Sequence, residues 1–218
     1  MANLKYKGMI FDLDGVIVST DEMHYAAWKM IADEENIYFD REINNRLRGV
    51  SRMESLEILL ERSSRQYTPE EKFRLAERKN NYYKELIKKL TSKDIMNGVM
   101  PLLSGLRDYG LLLAIASSSK NCGTILECIG LHDYFDAVVD GNMIKNSKPD
   151  PEVFLLAAKE LGCPPAECLV FEDSHAGVEA GIRAGMDVFA LGAARDHSAA
   201  RYSSYSLENV KADAFMGE

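Results

Sequence analysis

Five short apolar runs punctuate the chain, and the stretches between most of them carry apolar positions at helical spacing. The first run, MIFDL at residues 9 to 13, ends in acid and glycine, as a buried parallel strand does. LLLAIAS (111 to 117), FDAVV (135 to 139), ECLVFE (167 to 172) and MDVFAL (186 to 191) follow much later. Proline and glycine mark the helices between them: Pro101 opens one, Gly130 closes the next, Pro151 opens another that Gly162 closes, and Gly185 closes the last. Strands alternating with helices predict an α/β fold built on a doubly wound parallel sheet.

The rhythm breaks over residues 18 to 91, where no strand pattern occurs. Ser19 with Glu22 reads as a capping box ahead of Met23, Ala26, Ala27, Met30 and Ile31 at helical spacing. Ser51 with Glu54 makes a second box before Leu56, Leu59 and Leu60. Thr68, Pro69 and Glu71 combine N-cap, N1 proline and capping glutamate ahead of a long helix to about Leu90. A small α-helical domain, residues 18–91, is therefore expected as an insert in an α/β core made of residues 1–17 and 92–218. Residues 193 to 206 (AARDHSAARYSSYS) are Ala/Ser-rich and weakly specified, which leaves a final strand unsupported.

A length of 218 residues by itself fits one large domain or one domain with an insert, and the break in pattern selects the second. With 46% hydrophobic and 28% charged residues the chain can bury a core of its own. The net charge of −8 argues against duplex DNA or an anionic membrane as partner, leaving a local basic pocket as the way to bind an anion. No apolar run reaches the ~20 residues of a membrane span, and MANLKYKGMIFDLDG lacks a secretory pattern, so a cytoplasmic monomer is expected. Cys122, Cys128, Cys163 and Cys168 match neither a zinc site nor a CxxC pair and read as buried, reduced thiols.

In an open parallel sheet, ligands bind beyond the carboxyl ends of the strands, and polar residues fall there repeatedly. Strand one ends in Asp12-Leu13-Asp14-Gly15, where residues two apart share a face and Gly15 permits a sharp exit turn. Strand two ends in Ser117-Ser118-Ser119-Lys120-Asn121, suited to cradle an anion at a helix start. Ser147-Lys148-Pro149 follows strand three, and strand four ends in Glu172-Asp173-Ser174. Singly, each is an ordinary turn or cap. Together, four acids and a lysine at one edge are stable only if a divalent cation and an anionic ligand join them. Carboxylate and carbonyl oxygens suit Mg²⁺, which predicts phosphoryl transfer to a carboxylate nucleophile.

The ordered set FDLDGV, Ser117, Lys148 and Glu172-Asp173 resembles the four motifs of the haloacid dehalogenase-like phosphotransferases, over nearly the whole chain up to about Gly192. The resemblance implies a Rossmann-like core with the helical insert as a cap domain. It implies Asp12 as nucleophile, Asp14 as general acid/base, and Asp12, the Asp14 carbonyl and Asp173 as Mg²⁺ ligands, with Glu172 supporting the metal directly or through water. Ser117 and Lys148 would hold the transferring phosphoryl group. Elementary electrostatics agrees: beside Mg²⁺ and Lys148, Asp12 is favoured as the anion, while Asp14 keeps a side chain able to exchange a proton.

The insert carries a further resemblance, to the hexose-phosphate mutases of that family. Arg48-Gly49-Val50-Ser51-Arg52, with Ser55 one turn on, is similar to their cap loop, which holds the non-transferring phosphate. Arg52 is the foremost candidate, since a guanidinium grips phosphate bidentately and the Ser51 helix start adds its dipole. Thr20 at the hinge, His24, Lys79, Ser118, Ser119, Lys120 and Asn121 complete the implied sugar-phosphate site, with Arg78 read as a solvated helix charge. Arg48 stands where the family often has Lys. The implied activity is interconversion of β-D-glucose 1-phosphate and D-glucose 6-phosphate through β-glucose 1,6-bisphosphate, with a sugar-phosphate phosphatase as the alternative.

Overall fold

The computed structural model of the chain describes residues 5–47 and 50–216. Two compact units divide it, one made of the N-terminal residues to Ser19 together with those from Thr91 on, the other of Thr20–Leu90.

The first unit is built on six parallel strands, β1 (Gly8–Phe11), β2 (Leu112–Ala116), β3 (Ala137–Val139), β4 (Cys168–Glu172), β5 (Asp187–Leu191) and β6 (Tyr202–Ser204), in the order β3-β2-β1-β4-β5-β6. The five apolar runs supply the first five. The sixth, which the Ala/Ser-rich segment left unsupported, is a correction. Its three residues form the sheet edge, held in register by β5 from Phe189↔Tyr202 to Leu191↔Ser204, with the Tyr202 ring against Phe189 and Phe215.

Alternation along the strands furnishes the two faces. On one, Ile10, Ala114, Ala116, Val170 and Val188 pack with Val153, Phe154, Ala157 and Ala158 of α7 (Glu152–Glu160) and with Val178 and Ala180 of α8 (His175–Arg183). On the other, Phe11 stacks on Phe171 at 4.4 Å between ring centroids and Phe171 on Phe189 at 5.3 Å, with Phe215 edge-on to both of the latter. The small residues of the first face let two helices approach closely. Gly181, where an added Cβ would lie 2.7 Å from Val188, marks a close approach of α8 to β5.

Two further helices of this unit begin and end as local chemistry dictates. α5 (Val99–Asp108) starts two residues before Pro101, with Gly98 at its N-cap in the left-handed region (φ 86°), so Pro101 sits inside the first turn rather than opening the helix. α6 (Cys122–Ile129) ends at Gly130, φ 76°, as expected. All four cysteines are free thiols, three of them buried and Cys128 partly exposed. Burial pushes the Cys168 thiol up to about 12.

The second unit contains α1 (Asp21–Glu34), α2 (Arg41–Asn45), α3 (Arg52–Leu60) and α4 (Pro69–Ile87) around Trp28, Ile31, Ile43, Leu56, Leu59 and Leu75. The Ser51/Glu54 and Thr68/Glu71 capping boxes both form, each with side chain and backbone bonded reciprocally. The expected Ser19/Glu22 box does not: Thr20 is the N-cap of α1, and the Glu22 carboxylate is gripped by both Nη atoms of Arg41 at 2.5 and 2.6 Å. A bidentate guanidinium outcompetes a backbone amide for that carboxylate. Among the described residues no helix is long and apolar enough to cross a membrane.

Candidate active site

β1 and β4 are neighbours in the middle of the sheet, while the chain continues from β1 to β2 and β3 on one side and through β4, β5 and β6 on the other. That is a topological switch point, where the carboxyl ends of adjacent strands leave a crevice. Asp12 and Glu172 stand there. The Asp12 amide donates to the Phe171 carbonyl at 3.0 Å, so the β1–β4 ladder extends through the residue and fixes its backbone. The chain then turns over Leu13, whose carbonyl accepts from the Ile17 and Val18 amides, with Gly15 at φ 83° as the exit.

Lys148 binds this crevice together. Its Nζ donates to Asp12 Oδ1 at 2.5 Å, Glu172 Oε2 at 2.7 Å and the Ala116 carbonyl at 3.3 Å, using all three ammonium protons. The side chain is buried and lies over the Phe154 ring, 4.8 Å from its centroid. The other Glu172 oxygen accepts from the Asp173 amide at 3.1 Å and from the Ser174 amide and hydroxyl at 3.0 and 2.8 Å. Ser174 in turn caps α8 through Gly177 N, and an added Cβ at Gly177 would lie 2.0 Å from Glu172. Only glycine lets the helix start seat against this carboxylate.

Carboxylate oxygens of Asp12, Glu172 and Asp173 lie within 4.8 Å of one another. The Asp14 carboxylate does not join that group, although its charge reaches Asp12. Asp173 rests against Gly15, where an added Cβ would fall 2.1 Å from Oδ2, so the missing side chain brings the Asp173 carboxylate onto the Asp14-Gly15 backbone. Burial pushes the Asp12 carboxyl well above the usual carboxylate range; Lys148 opposes this, while Glu172, Asp14 and Asp173 reinforce it. Burial would lower the Lys148 ammonium, but Asp12 and Glu172 outweigh it and hold it above the ordinary lysine range. One ammonium does not balance four acids. The surplus of negative charge and the oxygen-only donor set fit a hard divalent cation.

Beside these groups, the Ser117 amide extends the β2–β3 ladder to the Val139 carbonyl at 3.0 Å. Its Oγ accepts from the Ser119 amide at 3.1 Å, and Ser119 Oγ from the Asn121 amide at 3.2 Å. The Ser117 hydroxyl proton is left to donate to an anion. Ser118 and Lys120 are exposed, and the loop is braced by Gly141, where a Cβ would meet the Ser118 carbonyl at 2.2 Å.

In the helical unit, Lys79 Nζ lies 2.8 Å from His24 Nδ1, above the rings of Trp28 and Tyr83, and His24 stacks on Tyr83 at 4.1 Å. An ammonium only donates, so Nδ1 is the acceptor and the ring proton sits on Nε2. Arg52 donates to Glu77 at 2.8 Å, Ser55 is buried in α3, Val50 is exposed, and Thr20 is buried at its N-cap. Arg78 pairs with Glu34 and Glu35, a surface role as expected. Arg48 and Gly49 lie outside the described residues.

Burial, and after it the charges of Lys79 and Arg52, hold the His24 imidazole well below its ordinary range. The unfolded chain takes up a proton near pH 6.5 that the folded chain refuses, so His24 lowers stability as pH falls through that value and leaves it unaffected above. Its ring signals should stay those of the neutral Nε2–H form at a pH where free histidine is mostly charged. A ¹H–¹⁵N NMR titration checks this, and a midpoint near 6.5 counts against the Lys79 hydrogen bond.

The order of strands, the switch-point crevice and the Asp12, Ser117, Lys148 and Glu172-Asp173 set define the class. The chain belongs to the haloacid dehalogenase-like hydrolases, whose family profile matches residues 6–185. Among individual proteins, it is 46% identical over 188 residues to the β-phosphoglucomutase of Bacillus subtilis (strain 168), across 85% of this chain and 82% of the relative. It is also 33% identical over 184 residues to a phosphorylated carbohydrates phosphatase of Thermotoga maritima, across 83% and 82%. The crystal structure of β-phosphoglucomutase from Clostridium difficile superposes with a TM-score of 0.89 at 38% identity, covering 96% of this chain and 95% of that one.

Three groups in these networks escaped the sequence reading: Glu77 on Arg52, Tyr83 under His24, and Glu152 behind the Lys148 loop. Tyr83 lies four residues after Lys79 and thus on its helix face, a signal that was available. Glu77 pairs across helices, and no local pattern marks it.

Proposed function

We propose that the protein interconverts β-D-glucose 1-phosphate and D-glucose 6-phosphate through an aspartyl-phosphate on Asp12 and a β-glucose 1,6-bisphosphate intermediate. The observation that carries this reading is the Lys148-clamped carboxylate cluster at the switch point, joined to 46% identity with a β-phosphoglucomutase. Lys148 engages Asp12 Oδ1, which leaves Oδ2 to attack phosphorus. The Asp12–phosphorus bond forms as the bond from phosphorus to the sugar oxygen breaks, and Asp14 protonates the departing oxygen. In the return half-reaction Asp14 takes the proton from the attacking sugar hydroxyl. Ser117 and Lys148 hold phosphoryl oxygens in both halves, Lys148 by giving up its 3.3 Å contact to the Ala116 carbonyl, and Ser118, Ser119, Lys120 and Asn121 line the approach. Mg²⁺, held by Asp12, the Asp14 carbonyl and Asp173 with Glu172 in support, would neutralise charge on the transferring group.

The helical unit serves as the cap in this reading. Arg52, Ser51, Ser55, Val50, Arg48 and Gly49 take the second phosphate, with Thr20, His24 and Lys79 setting the sugar's position. The Arg52–Glu77 pair is partly exposed on both sides, and such pairs contribute only about 0–1 kcal/mol, so a phosphate dianion can displace Glu77. A held sugar reacts at an effective molarity of about 10⁵–10⁸ M, which is how a mutase outruns water.

The phosphatase relative keeps hydrolysis as the second reading. Incubation with β-glucose 1-phosphate, Mg²⁺ and a trace of glucose 1,6-bisphosphate separates the two. Glucose 6-phosphate should form well ahead of inorganic phosphate; phosphate released at an equal rate would favour the phosphatase.

A further inference from the structure

We propose that Glu152 is a positioning residue whose carboxylate clamps the loop that delivers Lys148 to Asp12 and Glu172. The loop residues Lys145, Asn146 and Ser147 are all exposed, yet the next residue places its ammonium among buried carboxylates. Glu152 Oε1 accepts from the Lys145 amide at 3.0 Å; Oε2 accepts from the Asn146 amide at 2.8 Å and from Asn146 Nδ2 at 3.2 Å. Both oxygens are thereby committed to the segment immediately before Lys148. The Lys145 and Asn146 amides hold the Glu152 carboxyl below its usual range, so it remains an anion and a full acceptor.

The anchor behind the clamp is firm. Glu152 lies in the first turn of α7, its own amide donates to Asp150 Oδ1 at 3.0 Å, and the Asp150 amide donates to the Ser147 carbonyl at 3.1 Å. Val153 and Phe154, the next two residues, are fully buried, and Phe154 presents the ring over which the Lys148 ammonium lies. One helix turn therefore holds the loop through Glu152 and supports the ammonium through Phe154. Charge on a side chain that must meet two fixed carboxylates at once is sensitive to loop placement, and a displacement of about 1 Å at a reacting centre can cost about 10²-fold.

The proposal rests on Lys148 acting at the phosphoryl site, so its test includes a readout independent of activity. Acetylation of surface amines by an N-hydroxysuccinimide ester, followed by peptide mass spectrometry, reports how often Lys148 leaves its carboxylates. In Glu152→Ala, Lys148 labelling should rise about tenfold or more as the loop opens locally, with Lys7 and Lys88 unchanged as references. Turnover of β-glucose 1-phosphate should fall about 10- to 100-fold in kcat with KM within about threefold. Glu152→Gln keeps one acceptor oxygen and should fall between Ala and the parent in both readouts. Unchanged Lys148 labelling in a folded Glu152→Ala overturns the clamp, whatever happens to kcat. Raised labelling with full turnover upholds the clamp and overturns the catalytic reading of Lys148.

Discussion

Asp12→Asn is expected to abolish turnover, with a fall of at least about 10⁴-fold, the scale seen when a covalent nucleophile is removed. The substitution is isosteric, and the Asn oxygen can still accept from Lys148, so the crevice is not emptied. What it loses is the anionic oxygen that the proposed reaction directs at phosphorus. Stability should move the other way. In the parent, burial and three neighbouring acids disfavour the Asp12 anion, with Lys148 the opposing charge; removing one negative charge relieves that crowding. In cation-free buffer Asp12→Asn should melt no lower than the parent while remaining inactive. Intact mass spectrometry after reaction with glucose 1,6-bisphosphate should show one added phosphoryl group on the parent and none on the variant. A phosphorylated or active Asp12→Asn would remove Asp12 from the reaction.

Lys148→Ala carries the second large effect. It takes away the ammonium shared by Asp12 and Glu172 together with its contact to the Ala116 carbonyl. Breaking a buried ion pair from one side costs about 3–5 kcal/mol, and losing a fixed charge at a phosphoryl site costs about 10²–10³-fold in turnover. The two effects separate on titration with Mg²⁺. With the lysine gone, a divalent cation is the remaining means of balancing the acids, so thermal shift on adding Mg²⁺ should be larger for the variant than for the parent, while turnover stays low. If Mg²⁺ shifts neither protein, the carboxylate cluster does not hold the cation.

The core of the candidate site is legible in the sequence because each of its pieces is local. Asp12, Ser117 and Glu172 each follow an apolar run that can only be a buried strand, and parallel strands bring their carboxyl ends to one edge without further information. Lys148 follows the third run and so falls at the same edge. The cross-helix partners were not legible: Glu77 reaches Arg52 and Glu22 reaches Arg41 by the rotation of whole helices, which a one-dimensional pattern does not encode. β6 was lost for the opposite reason, since a three-residue edge strand is specified by the neighbour it pairs with.

The split of the sheet unit around an uninterrupted helical one also orders events during synthesis. Among the described residues β1 pairs only with β2 and β4, so it has no ladder partner until Leu112 has been made, and its second waits for Cys168. Thr20–Leu90 is continuous and complete well before either. β1 thus waits for about a hundred residues of chain before its first partner exists and longer for its second, and Asp12 directly follows it. The crevice comes into existence only once β4 and Glu172 have been made, after the helices of Thr20–Leu90 have had time to assemble.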